Sequence, residues 1–258
     1  MAFSPIPIAL PEPQPVRFEL SPLALVVCQI RFEHLGLPGE EALQGLRAAL
    51  GNRYPNMQPM QNVQIQIGPP GAQATAGQGW RFASLDDQWS VAVMPDSVAI
   101  ETRAYEDWED LDARLREVLA ALADTLAPKV EVRLGLRYVN EIRMDEVTEP
   151  AQWGKYLRAE LVGLTSGDLL APAAASAQQV VQVDAGEGAR LNIRHGFPGV
   201  EEETPPYLLD FDCFREGQRP LDVDALLHEA DRFNTMITSL FQWSITSELW
   251  EELKPHDK

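Results

Sequence analysis

Two long stretches, "DWEDLDARLREVLAALADTLAP" and "DVDALLHEADRFNTMITSLFQWSIT", carry apolar residues at helical spacing, while most of the other patterned segments read as strands. In the first stretch Leu111, Leu115, Val118, Leu119 and Leu122 form one stripe. A helix with one apolar stripe has to bury it. The partners on offer are runs of strands, grouped between the helices rather than alternating with them one by one. That grouping predicts an α+β fold, with the helices confined to one face of an antiparallel sheet.

The strands are legible one at a time. "LALVVCQIRFE" places Val26, Cys28, Ile30 and Phe32 on one face. "GEEALQGLRAALGNRYP" reads as a short amphipathic helix with acids at its start and Pro55 at its end. "NVQIQIG", "WRFASL", "WSVAVMP" and "SVAIETRAY" follow as strands, with "PPGAQATAGQG" as a flexible hairpin connection. After the first long helix the order recurs. "KVEVRLGLRYVNEIR" is a strand, "AQWGKYLRAELVGL" a helix, "AQQVVQVDAG", "ARLNIRHGF" and "YLLDFDCFREG" strands, and then comes the second long helix. Local likenesses fall at matching points, "QIRFE" with "GLRYV" and "LRAAL" with "LRAEL". We therefore expect two pseudo-repeats of strand, helix, antiparallel strands and helix, over 23–128 and 129–258, forming one curved sheet in one compact domain. Residues 1–22 are proline-rich and predict an extended leader, lying on the surface or ordered by a partner. "SITSELWEELKPHDK" predicts a last helical turn and a frayed tail, from which Trp250 and Leu253 dock on the body or on a partner.

The order of elements resembles the TATA-box-binding-protein-like fold, a saddle-shaped sheet with long helices on its convex side. That likeness implies an architecture and no DNA binding. Four segments in order, "LVVCQIRFE", "YEDWEDLDARL", "LGLRYVNEI" and "LFQWSITSELWEEL", resemble a sporadically distributed prokaryotic protein family of unknown function, from about residue 20 onward. The resemblance implies the domain extent and transfers no activity and no catalytic residue. The family's patchy occurrence fits mobile or defence-linked bacterial genes.

Charge narrows the function classes. There are 39 acidic residues against 21 basic ones, a net charge of −18. A field of that sign repels nucleic-acid phosphates and anionic lipid. Cys28 and Cys213 fall in apolar strands without CxxC spacing, as expected of buried thiols in a reducing cytoplasm. "MAFSPIPIALPEPQPVRF" lacks the basic start and apolar run of a signal peptide, and no stretch approaches the ~20 apolar residues that span a bilayer.

Motifs for chemistry are sparse, and they predict no cofactor and no metal. The acids Glu106, Asp107, Glu109, Asp110 and Asp112 sit where the first long helix begins, which favours capping by Asp107 over metal binding. The histidines His34, His195, His228 and His256 have no ligand spacing, and His195 reads as an ordinary hydrogen-bonded side chain. No GxSxG elbow or phosphate loop is present. Trp243 reads as core.

The polar alternates of the strands are more informative. Gln29, Arg31, Gln64, Gln66, Glu101, Arg103, Arg133, Arg137, Asn192, Arg194, Asp210 and Asp212 are expected on the face away from the helices. Arginine with amide side chains equips such a face to hold carboxylates, phosphates or peptide edges. The competing reading is cross-strand pairing that merely solvates the sheet, as in Arg194 with Asp210. The leading functional reading is a non-enzymatic, cytoplasmic interaction protein. Its contact residues are Arg31, Arg133, Arg137, Arg194, Gln64, Gln66, Asp210 and Asp212, and its partner is a protein with a basic surface, such as a toxin or effector in a defence-type module. The alternative is an enzyme or small-ligand sensor with Asp210, Asp212 and His195 in a pocket between sheet and helices. Nucleic-acid binding on the concave face is weaker and is opposed by the net charge.

Overall fold

The computed structural model describes residues 6–68, 71–199 and 206–257. It is an α+β protein built on a large antiparallel sheet of nine strands in the order β3-β4-β5-β6-β2-β7-β10-β9-β8. In chain order the elements are β1 (Val16–Phe18), β2 (Leu23–Phe32), α1 (Glu40–Leu50), β3 (Asn56–Gly68), β4 (Gly71–Ala83), β5 (Trp89–Met94) and β6 (Ser97–Thr102). Then come α2 (Trp108–Thr125), β7 (Val130–Ile142), α3 (Ala159–Val162), β8 (Ala177–Gly186), β9 (Ala189–Phe197), β10 (Tyr207–Pro220), α4 (Val223–Ser244), α5 (Ser247–Glu252) and β11 (Pro255–Asp257). Among the described residues no helix is long and apolar enough to cross a membrane.

Two compact units divide the chain. The β3–β6 unit consists of Val26–Leu136 and Arg215–Asp231. Its core follows from strand alternation: Cys28 pairs with Ile100 and Ile100 with Val91, while Ile30 pairs with Val98 and Val98 with Val93. These six residues are essentially inaccessible to solvent. The α2 stripe Leu111, Leu115, Val118, Leu119 and Leu122 is buried as its spacing demands. The Asp107 side chain accepts a 2.8 Å hydrogen bond from the Asp110 backbone and starts that helix. The first helix ends at Gly51, before Pro55 is reached.

The β8–β9 unit consists of Met1–Leu25, Arg137–Phe214 and Arg232–Lys258. Tyr138, Leu191, Phe197, Tyr207, Leu209 and Phe211 from its strands are buried, as are Phe233, Ile237 and Leu240 from α4. The Tyr138 hydroxyl donates to Asn234 Oδ1 at 2.8 Å, which ties β7 to α4.

Five local expectations need correction. "PPGAQATAGQG" is no mere connection: from Gly71 it belongs to β4, which pairs residue by residue with β3. The main-chain ladder does not depend on large side chains, and Pro59 is tolerated because β3 is an edge strand. "AQWGKYLRAELVGL" is not one helix. A 3-10 turn over Pro150–Lys155 is followed by the four-residue α3, because Leu157 leaves helical geometry to bridge Ile245 and Arg158 bonds the Trp243 carbonyl.

The expected frayed tail is structured. Thr246 caps α5, and β11 pairs antiparallel with β1, Val16 opposite Asp257. The leader from Gln14 to Phe18 is thus held by the chain's own later segment. Gln14 and Gln242 exchange two hydrogen bonds, and Phe18 meets Trp250 edge-on at 5.0 Å. Trp243, expected in the core, is only half-buried and stacks under the Arg158 guanidinium, 5.1 Å from the ring centre.

Candidate functional site

In the β8–β9 unit three of the candidate contact residues come together. Arg137 on β7 donates from Nε and Nη2 to the two carboxylate oxygens of Asp210 on β10, at 2.7 and 2.8 Å. Arg194 on β9 donates from Nη1 to Asp210 Oδ2 at 3.2 Å. The Arg194–Asp210 pair expected from cross-strand neighbours is therefore present, and Arg137 completes a row over three adjacent strands.

The exposures differ within this cluster. The Asp210 side chain is 12% exposed, whereas both arginine side chains are 42% exposed. One largely buried carboxylate holds two guanidiniums that still reach solvent. The hydrogen bond to Asp210 is the chief reason the Arg137 pKa lies above its ordinary value, outweighing desolvation, with the Asp212 charge adding to it. The fork-to-fork geometry fixes the Arg137 plane, and Arg194 keeps N–H donors that Asp210 does not use. Further along the same face Gln182 donates to Asn192 at 2.8 Å.

The other candidates are arranged differently. In the β3–β6 unit Arg31 lies 3.4 Å from Asp96, both well exposed. Arg133 Nη1 lies 3.4 Å from Gln29 Oε1. The Arg133 guanidinium lies over Gly135, where a Cβ would approach it to 2.4 Å, so the missing side chain makes its seat. Gln64 and Gln66 lie on β3, but their side chains fall outside the described residues.

His195 is not brought to Asp210. It is buried, its Nδ1 lies 2.9 Å from the Tyr207 hydroxyl, and that hydroxyl donates to the Leu161 carbonyl. Since the tyrosine proton serves Leu161, Nδ1 is the donor in the His195–Tyr207 bond. Burial holds the His195 pKa below its ordinary value and pushes the Tyr207 phenol up, so both are neutral at pH 7. The chain of hydrogen bonds links β9 through Tyr207 to the Leu161 carbonyl of α3. Burial likewise pushes the Cys28 thiol up to about 12, which leaves it unreactive. Among the described residues no cluster of three or more His, Cys, Asp or Glu could hold a metal ion.

A second charged cluster in the β3–β6 unit escaped the sequence reading. Arg215 on β10 donates from Nη2 to Glu131 on β7 at 2.7 Å, and its Nε lies 3.8 Å from Glu229 on α4. The Arg215 and Glu131 side chains are 4% and 5% exposed. The available signal was position: Tyr207, Leu209, Phe211 and Cys213 alternate toward the core, and Arg215 is the next alternate.

Comparison of the chain with protein-family models, curated proteins and solved structures returned no match.

Proposed function

We propose that the protein is a non-enzymatic interaction protein whose sheet face around Arg137 and Arg194 holds a segment of a protein partner. The observation that carries this reading is the pair of half-exposed guanidiniums oriented by one largely buried carboxylate. Orientation fixed in advance lowers the entropy lost on docking. Two such donors suit a partner's carboxylate side chain or main-chain carbonyls. The net charge of −18 works at longer range and favours a partner that is basic overall. Encounter is then steered by net charge, and docking is set by the arginines.

A cytoplasmic setting and a place in a defence- or toxin-linked module belong to the same proposal, as does an internal duplication. The duplication is supported by element order: β2 and α1, then strands, then α2, against β7 and the 3-10 turn with α3, then strands, then α4. The test is affinity capture from a native-host lysate, with Arg137→Glu and Arg194→Glu variants alongside. Loss of a specific band in both variants, with circular dichroism unchanged, supports the reading. Capture that survives both changes places the contact surface elsewhere.

A further inference from the structure

β8 ends the sheet order, so among the described residues one side of it has no neighbouring strand. Most edge strands carry a charge, a proline or a bulge that discourages pairing with another chain. The stretch Ala177–Val183, "AQQVVQV", has none of these: the irregularity in its ladder comes later, between Asp184 and Gly186. Val180 is 67% exposed and Val181 46%. Along the outer side, the one main-chain hydrogen bond among the described residues is from Ile8 N–H to the Asp184 carbonyl, at 2.8 Å.

That bond also fixes which amides point outward. In a strand the N–H and C=O of one residue point to the same side, and alternate residues point oppositely. With Asp184 outward, Gln182, Val180 and Gln178 are outward as well. A two-fold antiparallel pairing of this edge can centre on one of these outward residues or on an inward one between them. A centre at Val181 sets Gln178 against Asp184 and leaves about four main-chain hydrogen bonds, and one at Gln179 runs past Ala177. A centre at Gln182 would set Val180 against Asp184, whose carbonyl is already taken by Ile8. A centre at Gln178 would run past the start of the strand at Ala177. A centre at Val180 uses Ala177–Val183 from end to end.

We propose that β8 pairs antiparallel with β8 of a second copy of this chain about a two-fold axis at Val180. Val180 then faces its own counterpart and Gln178 faces Gln182, giving about six main-chain hydrogen bonds between copies. The valine pair is covered on the arginine-bearing face by glutamine amides, which can bond one another across the axis. Two copies that each carry a net charge of −18 repel, so an uncharged edge is the place where they can approach. Pairing at the edge leaves the Arg137–Arg194 surface open, and the proposal does not depend on the function assigned to that surface.

Sedimentation equilibrium of the full chain and its Val180→Pro variant tests this. The proline removes an outward N–H that the β8–β9 ladder does not use, and edge strands accept proline. The wild type is expected to dimerise by about 100 μM, and more tightly at about 0.5 M salt as repulsion is screened. Val180→Pro is expected to be monomeric with an unchanged thermal midpoint; if the variant melts early, Val180→Lys serves in its place. A monomeric wild type, a dimer that survives both changes, or open-ended polymers would overturn the proposal.

Discussion

The strands β7 and β10 carry two arginine–carboxylate clusters, one in each compact unit, made from the same chemistry in inverse proportion. In the β8–β9 unit two guanidiniums serve one carboxylate and both reach solvent. In the β3–β6 unit one guanidinium lies between Glu131 and Glu229, cut off from water. There, among the described residues, Glu131 Oε2 and the Nε and Nη1 atoms of Arg215 have no hydrogen-bond partner. Exposed pairs contribute little to stability, since water competes for both partners. Buried pairs contribute little net when intact, because desolvation offsets attraction, yet losing one partner strands a charge. The exposed cluster can therefore be spent on a ligand at small structural cost, whereas the buried one is a constraint on the fold.

The comparison breaks most visibly at Arg215. Arg215→Met leaves two glutamates facing an apolar interior and should cost about 3–5 kcal/mol in urea unfolding. Adding Glu131→Leu should recover much of that loss, since an apolar pair needs no partner. A single-variant cost under about 1 kcal/mol would mean that water reaches the cluster. In the exposed cluster, Asp210→Asn should cost about 1–2 kcal/mol by removing the charge from three hydrogen bonds, and partner capture should fall because both arginines lose their anchor.

His195 sharpens the contrast as a buried polar group kept neutral. Its folded pKa is depressed by desolvation, so the unfolded chain binds more protons at acid pH. Its contribution is present above the unfolded value of about 6.5 and is lost as pH falls toward the folded value. A urea-midpoint series from pH 8 to 5 should show this as a slope of at most about 1.4 kcal/mol per pH unit, absent in His195→Gln. The smallest effect is expected for Arg194→Ala, below about 1 kcal/mol in stability, although binding at that face should weaken measurably.

Sequence reading succeeded where local pattern and tertiary role agree. The β2 alternation, the β9 limits and the α2 stripe with its Asp107 cap are each set by residues adjacent in the chain. The Arg194–Asp210 pair was legible as well, as the example of the competing cross-strand reading. Sequence reading missed what distant residues decide. The break after Tyr156 depends on Ile245, and the order at Val16–Phe18 depends on Pro255–Asp257. The glycine- and alanine-rich start of β4 lacks strand-like side chains and is held by main-chain pairing to β3. Arg215 was hidden differently: its position follows the core alternation, but its charge reads as the end of a strand.

The β1–β11 pairing has a consequence for the timing of biosynthesis. Val16–Phe18 leaves the ribosome well before its partner Pro255–Asp257, which is made after α4 and α5. At ordinary translation speeds that gap is on the order of tens of seconds. Until then Phe18 lacks the Trp250 and Phe241 rings that it meets in the finished fold. Every nascent chain therefore carries an unpaired strand until Pro255–Asp257 has emerged.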